Sequence, residues 1–360
     1  MFQAIQVIWL ACLVIISLYH LYIFWHAQPA KSSKSVAPLQ GVSIIIASKN
    51  DSSLLQKHLD QIIHQDYPDF EIVIADDHSE LAERKKLDEL KQIWPDLKIV
   101  QSPLVGKKYA LHIAIHSAKN ELLLVTDADC IPASKEWIKK MVLHKMDGDI
   151  VLGYSPYFKR SGWLNAMIRF ETVMTGIQYL SWAIKGRPYM SVGRNTLYSR
   201  ALFMTLDPLR HHLNIPYGDD DLGLQSMANS TRVNICADTN AHVFSIPASS
   251  WTEWITQKHR HLSAGHYYKT SLWWQPALYG IALVVHWLLF PLLIIFLKWQ
   301  LWLLPFALGL FIRWVNYFYW TKKLGDMDTV VKFPLLEIAY AAYLAILGCI
   351  TAVSKKKTWN

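Results

Sequence analysis

Long apolar blocks bracket a stretch of ordinary mixed sequence in this chain. The first block, AIQVIWLACLVIISLYHLYIFW (4–25), carries no charge and matches the roughly 20 residues a bilayer core demands. No Lys or Arg precedes it and the run is long, so the pattern predicts an uncleaved anchor over 1–26 rather than a cleaved leader. Lys31 and Lys34 follow within a polar linker (27–40), which places the next segment on the cytoplasmic side.

Between 41 and 265 the pattern changes. VSIIIAS (42–48), FEIVIADD (70–77), LKIVQS (97–102), ELLLVTD (121–127) and DIVLGYS (149–155) read as strands. Helical periodicity fills 53–65, 80–94, 107–118 and 134–146 between them. Near-continuous apolar strands separated by helices predict an α/β domain, with a mostly parallel sheet covered on both faces. Ligands of such sheets bind at the carboxyl ends of the strands, and the polar residues of this chain collect there.

The apolar pattern returns at 277–297, 301–312 and 333–353. The middle run is short and Arg313 follows it, so it either continues to Trp320 or lies in the membrane interface. Four full spans would put the basic tail (354–360) across the membrane from Lys31 and Lys34, against the basic-residue rule. Two or three spans are therefore expected over 277–353. His286 and Glu337 are too sparse in these runs for an ion path, which argues against a transporter.

Composition narrows the picture further. A chain that is 52% hydrophobic with 16 tryptophans is not disordered. Its net charge of +8 reads as anchoring at a cytoplasmic membrane face. No basic, aromatic-interleaved stretch points to nucleic acid. Cys12, Cys130, Cys236 and Cys349 show no CxxC spacing, so neither a disulfide framework nor a zinc site is expected.

The candidate chemistry sits at strand ends. The first strand leaves into ASKND, where Ser52 or Ser53 can cap the next helix. The second ends in Asp76-Asp77, which suits a helix cap or a ligand hydroxyl. GKKYAL (106–111) places glycine and lysines before a helix, a setting that favours anions. VTDADC (125–130) sets two acids at i and i+2 after a buried strand, an oxygen-rich site for Mg²⁺ or Mn²⁺. GDDDL (218–222) opens a helix with Asp219, Asp220 and Asp221; they answer the helix dipole or supply a general base. In WTEWITQKHRHLSAGHYYK (251–269), Gln257, Arg260 and His261 share one face of an amphipathic, interfacial helix.

Taken in order, ASKN, ADD, GKKYAL, DAD, GRN (193–195), GDDDL and QKHRH resemble the membrane-bound branch of the family 2 glycosyltransferases. The resemblance covers 41–265. It implies a GT-A fold, flanked by transmembrane helices, in which a nucleotide-sugar donor and a divalent metal serve an inverting transfer. It further implies that Ala47, Ser48 and Asn50 meet the nucleotide, and that Asp77 lies near base and ribose with Asp76 the less favoured neighbour. Lys107 matches the family's GK lysine, beside the nucleotide. Asp127 and Asp129 match the DXD pair, with Asp129 on the metal and Asp127 by the ribose and diphosphate. Gly193 and Asn195 resemble the acceptor-side turn, Asp219 the catalytic base, and Gln257 and Arg260 the QxxRW element. Two positions depart. The family's glutamate before the base is Gly218, which leaves Asp220 and Asp221 open as the working acid. The tryptophan of QxxRW is His261, where processive polymer synthases stack an acceptor sugar.

The expectation is a multi-pass enzyme of the cell (inner or plasma) membrane with a cytoplasmic catalytic domain. It would act on a lipid-linked or growing glycan acceptor in cell-envelope or polysaccharide synthesis, with membrane lipid as a further partner. Two alternatives stay open. One is a transferase that loads sugar onto polyprenyl phosphate. The other is a non-catalytic membrane component of a polysaccharide assembly machine.

Overall fold

The computed structural model describes residues 2–25, 40–213, 215, 217–296 and 300–353. Most of the linker, with Lys31 and Lys34, and the basic tail lie outside the described residues. In chain order the elements begin with α1 (Phe2–Leu18), continued by a π-helical turn (Tyr19–Phe24). Then come β1 (Val42–Ser48), α2 (Ser52–Ile63), β2 (Phe70–Asp76), α3 (Leu81–Ile93), β3 (Lys98–Gln101), α4 (Lys107–Ser117) and β4 (Leu122–Asp127). They are followed by β5 (Ile131–Pro132), α5 (Trp137–Leu143), β6 (Ile150–Gly153), α6 (Trp163–Ile184), β7 (Thr196–Ser199), α7 (Arg200–Leu206) and α8 (Asp219–Met227). Last are β8 (Val233–Cys236), β9 (Val243–Phe244), α9 (Trp251–Ser263), α10 (Thr270–Phe296), α11 (Gln300–Leu324) and α12 (Phe333–Val353).

The chain divides into two compact units. The sheet unit takes in the described residues of Pro29–Phe158 and Pro188–Pro247. Seven of its strands form one sheet in the order β3-β2-β1-β4-β7-β6-β8, and β5 pairs with β9 as a separate two-stranded sheet. All neighbours in the seven-stranded sheet pair in parallel except where β7 is inserted antiparallel between β4 and β6. The register sets Ser48 beside Asp76 and Ala47 beside Asp127, so the first three polar strand ends lie side by side. Val42, Ile44, Ile46, Ile72, Ile74, Leu122 and Leu124 form the core with Leu55, Leu59 and Trp137 from the covering helices. Strands this apolar must be covered on both faces, which leaves their ends as the only wet part of the sheet.

Local details differ from the sequence expectation. Neither Ser52 nor Ser53 caps α2; Asp51 stands at the cap, and Ser53 bonds to Glu83 instead. The helix expected over 134–146 shortens to α5, because Ser134 turns back to accept from the Glu136 N–H at 3.0 Å.

The helical unit takes in the described residues of Met1–Gln28, Lys159–Arg187 and Ala248–Lys357. Four of its helices are long and apolar enough to cross a membrane: Phe2–Phe24, Thr270–Phe296, Gln300–Leu324 and Phe333–Thr351. The middle C-terminal run is therefore not short. It continues for 25 residues, because the Arg313 that seemed to end it is buried against Glu337 of α12 at 2.7 Å. α6 is a 22-residue helix buried almost all round, with Arg169 and Glu171 inside it. Arg169 is clasped by Asp326 and Asp328, and Glu171 by Lys258 at 2.5 Å. α9 lies on α12 through Trp254, whose ring stacks on Tyr343 at 4.5 Å.

Candidate active site

The polar ends of β1, β2 and β4, the start of α4 and the start of α8 make one cluster in the sheet unit. At its centre is the Lys107 ammonium, 2.8 Å from Asp127 Oδ1 and 3.3 Å from Asp219 Oδ2. One cation thus joins the end of β4 to the start of α8. Burial works against the charge of Lys107, but Asp127 and Asp219 more than offset it and hold its pKa well above the usual range. The three side chains remain 32%, 31% and 15% exposed, so the cluster is open to a ligand.

Asp127, Asp129 and Cys130 bring potential ligand atoms within 4.8 Å of one another, the one such trio found among the described residues. Cys130 is no ligand for a hard cation. Burial, with Asp129 and Asp127 adding to it, pushes its thiol well above the usual range, and it shares a hydrogen bond with Ser245 at 3.1 Å. Two carboxylates remain, a set that suits Mg²⁺ or Mn²⁺ completing its shell with phosphate oxygens and water. Burial and the charge of Asp127 raise the Asp129 carboxyl, and a cation there would offset both.

The three acids of α8 do different things. Asp220 accepts from the Gly193 N–H at 2.9 Å and from the Asp221 N–H at 2.9 Å. Asp221 is buried and accepts from the Ser191 N–H at 3.1 Å. Both hold the 191–193 turn, while Asp219 faces Lys107. Gly218 caps α8 with φ +75, a left-handed conformation that a glutamate would adopt only with strain. That geometry accounts for the missing glutamate. Lys108 donates to the carbonyls of His212 and Tyr217 at 2.9 and 3.0 Å and so ties α4 to the loop entering α8.

The remaining expected residues fall into three groups. Ala47 and Ser48 lie at the end of β1, and the Ser48 hydroxyl is buried without a hydrogen-bond partner. Asn50, at φ +59, accepts from the Glu80 N–H at 2.8 Å and so links the first two loops. Asp77 is buried and accepts from the Gly106 N–H at 2.7 Å, which shapes the entry to α4. Its neighbour Asp76 keeps a buried Oδ2 with no partner. Gly193 sits against Asp220, but Asn195 is fully buried. Its amide is spent on Trp137 Nε1 and on the carbonyls of Tyr154 and Ala241, so it supports the turn from behind and presents nothing to an acceptor. Gly153 makes room for it: a Cβ there would lie 2.4 Å from the Asn195 amide. Gln257 and Arg260 belong to α9 in the helical unit, Arg260 exposed and Gln257 with a buried, unpartnered Oε1.

Comparison with known proteins decides the family. Residues 43–206 match the model of glycosyl transferase family 2. They are a family 2 glycosyltransferase domain. An uncharacterized glycosyltransferase of Haemophilus influenzae is 24% identical over 192 residues, which is 50% of this chain and 57% of that protein. A beta-monoglucosyldiacylglycerol synthase of Synechocystis is 31% identical over 114 residues, 30% of this chain and 23% of that protein. The chain thus spans little more than half of the first relative and a quarter or less of the second. A mannosyltransferase from Pyrobaculum calidifontis, solved in complex with GDP-Man and Mn²⁺, superposes with a TM-score of 0.61 at 17% identity. It covers 98% of this chain and 100% of its own. That likeness is one of fold, and the family 2 domain has the GT-A architecture.

Proposed function

We propose that this family 2 glycosyltransferase moves a sugar, with inversion, from a nucleotide-sugar donor to a lipid-linked or growing glycan acceptor at the cell membrane. One observation carries the reading: a single lysine holds the β4 acid Asp127 and the α8 acid Asp219 within hydrogen-bonding reach of one nitrogen. Displacement at one carbon needs a leaving-group site and a proton acceptor that close together.

In this reading Ala47, Ser48, Asn50 and Asp77 surround the nucleotide, with the free Oδ2 of Asp76 as a second acceptor for its hydroxyls. Lys107 turns to the diphosphate, and its charge stabilises the leaving group as negative charge develops; the QxxRW resemblance gives Arg260 the same role. Leaving Asp219, the ammonium frees that carboxylate to take the proton of the acceptor hydroxyl. The hydroxyl oxygen then bonds to the anomeric carbon from the face opposite the breaking bond to the diphosphate, which inverts the centre. Asp127 and Asp129 would hold a divalent cation, which supplies Lewis-acid stabilisation of the same diphosphate when bound. Gly193 and its turn form the acceptor wall, and Asp221 positions them. Gln257 supports Arg260 on α9.

The domain scheme follows: an anchor (1–26), a linker (27–40), a cytoplasmic catalytic domain (41–265), a membrane region (277–353) and a basic tail. Four helices able to cross a membrane favour an acceptor held in lipid. The name of the Synechocystis relative also describes a lipid product. Purified protein in detergent, screened against nucleotide sugars with and without Mn²⁺, tests the whole reading. Metal-dependent transfer from one donor is expected. Absence of turnover with every donor would point to the non-catalytic assembly role. Transfer to polyprenyl phosphate that survives Asp219→Asn would point to the phosphate acceptor, which needs no base.

A further inference from the structure

Arg194 stands in the middle of the GRN turn, between two residues that the family resemblance marks, yet the resemblance gives it no part to play. Its guanidinium is held rigidly. Nε donates to Ser155 Oγ at 2.7 Å, Nη2 to the Ser155 carbonyl at 3.0 Å, and Nη1 reaches the Tyr157 hydroxyl at 3.4 Å. The group also lies over the Tyr157 ring, 4.8 Å from its centre. Ser155 and Tyr157 are buried at the end of β6, so this mount does not move easily. Among the described residues no carboxylate forms an ion pair with Arg194. The mount adjoins the Asp127–Asp129–Cys130 trio: Cys130 shares its hydrogen bond at 3.1 Å with Ser245, whose own N–H donates to the Pro156 carbonyl, between Ser155 and Tyr157, at 3.0 Å. Asp129 and Asp127 both feel the Arg194 charge. Two N–H groups of its fork remain for an anion.

A fixed positive charge beside two metal-binding carboxylates has opposite effects on two visitors. A bare divalent cation arriving at Asp127 and Asp129 is repelled by it. The same cation carrying a nucleoside diphosphate arrives as a net anion and is attracted. Lys107 cannot impose this selectivity, because its charge is already shared between Asp127 and Asp219. We infer that Arg194 couples the two ligands: it makes the site take the cation and the diphosphate together, and disfavours the cation alone. This inference rests on the proposed reading of Asp127 and Asp129 as the meeting place of cation and diphosphate. Arg194 would touch the diphosphate through its free N–H groups.

Coupling between two ligands is reciprocal, so it is measurable from either side. The full chain in detergent is titrated with Mn²⁺ alone, followed by the EPR signal of free Mn²⁺, and with GDP and UDP by calorimetry in the presence and absence of Mn²⁺. In the wild type, Mn²⁺ and one of the nucleotides should strengthen each other's binding. In Arg194→Gln the nucleotide affinity in Mn²⁺ should fall by roughly tenfold or more, while the affinity for Mn²⁺ alone stays level or rises. Arg194→Lys should keep part of the coupling, and Tyr157→Phe, which leaves the charge in place, most of it. Equal nucleotide affinity in wild type and Arg194→Gln overturns the inference. So does a loss of Mn²⁺-alone binding as large as the loss of nucleotide binding in Arg194→Gln and Arg194→Lys alike, the mark of a collapsed loop. A wild type that binds neither GDP nor UDP in Mn²⁺ sinks the diphosphate reading itself along with it.

Discussion

The two units of this protein use the same ionic chemistry to opposite ends. In the helical unit, Arg313 and Glu337 are 0% and 1% exposed and face each other at 2.7 Å. Arg169 is likewise enclosed with Asp326, while its second partner Asp328 lies at the surface and is shared with Lys159 at 2.9 Å. In the sheet unit, Lys107 is a third exposed and divides itself between two acids. Desolvated, dedicated pairs cannot exchange partners without leaving a bare charge in a low dielectric. A shared and partly wet cation can exchange at small cost, because water screens each intermediate. Closed pairs hold elements together; an open, over-subscribed one is poised for a ligand to redistribute it.

The sharpest way to break this comparison is at the acid that Lys107 would release. Asp219→Asn should retain donor binding and lower transfer by about 10²–10⁴-fold, the usual worth of a general base. Initial rates and donor affinity measured on the same preparation check it. Asp221→Asn should behave differently, with a melting temperature that falls as the Ser191 N–H loses its acceptor. If Asp221→Asn instead matches the activity loss with an unchanged melt, the three acids have been assigned in the wrong order. On the closed side, Arg313→Leu or Glu337→Leu alone should cost about 3–5 kcal/mol. The double replacement should recover most of that loss. Thermal unfolding in detergent reads the cycle, and single variants as stable as the wild type would show that the pair is not closed.

How far these two regions were legible in the sequence follows from where their partners lie. β1 falls on 42–48 as the apolar run predicts, because a strand covered on both faces has nothing to read but its own hydrophobicity. The DXD and GDDDL acids stand out for the converse reason, as charges placed where burial has just ended. α6 left no such mark. It is buried almost all round, so it lacks a polar face, and its Arg169 finds carboxylates only 157 positions away, at Asp326. β6 falls inside the expected 149–155 run, but β7 and β8 are four residues each, too short for a period, and the antiparallel insertion of β7 has no local signal. Asn195 looked like a ligand because it is polar and sits in a turn. Only the packed fold shows its amide saturated. Arg194 was visible as a letter, but the Ser155 and Tyr157 that mount it come from another strand end.

A smaller effect sharpens the open side. Lys107→Met removes the shared cation while leaving both acids. Donor affinity should fall by about 10–100-fold, the worth of one charge-assisted hydrogen bond to phosphate. Lys107→Arg should recover charge but not geometry, since a planar fork replaces a point donor. Isothermal titration with the accepted nucleotide compares the three proteins. A Lys107→Met variant with wild-type donor affinity would mean the lysine serves only to hold α4 and α8 together.

The smallest effect separates two carboxyls that burial raises alike but that keep different partners. Asp220 is pushed up to about 6 by burial and by the charge of Asp219, against the pull of Lys107. Asp326 is pushed up to about 6 by burial despite Arg169. Each titrates above its unfolded value of 3.8, so each binds its proton more tightly when folded. Its contribution to stability is complete below pH 3.8 and is lost as the pH rises through about 6. Asp220→Asn should therefore flatten the stability curve over that window by about 1–2 kcal/mol, and the slope is the quantity to read, since one hydrogen bond to the turn is lost at every pH. Asp326→Asn should flatten the same window but also lower stability throughout, because Arg169 would keep its charge and lose half its clasp. Melting curves from pH 4 to 7 distinguish the two, and an equal, pH-independent loss in both variants would erase the distinction between an open cluster and a closed one.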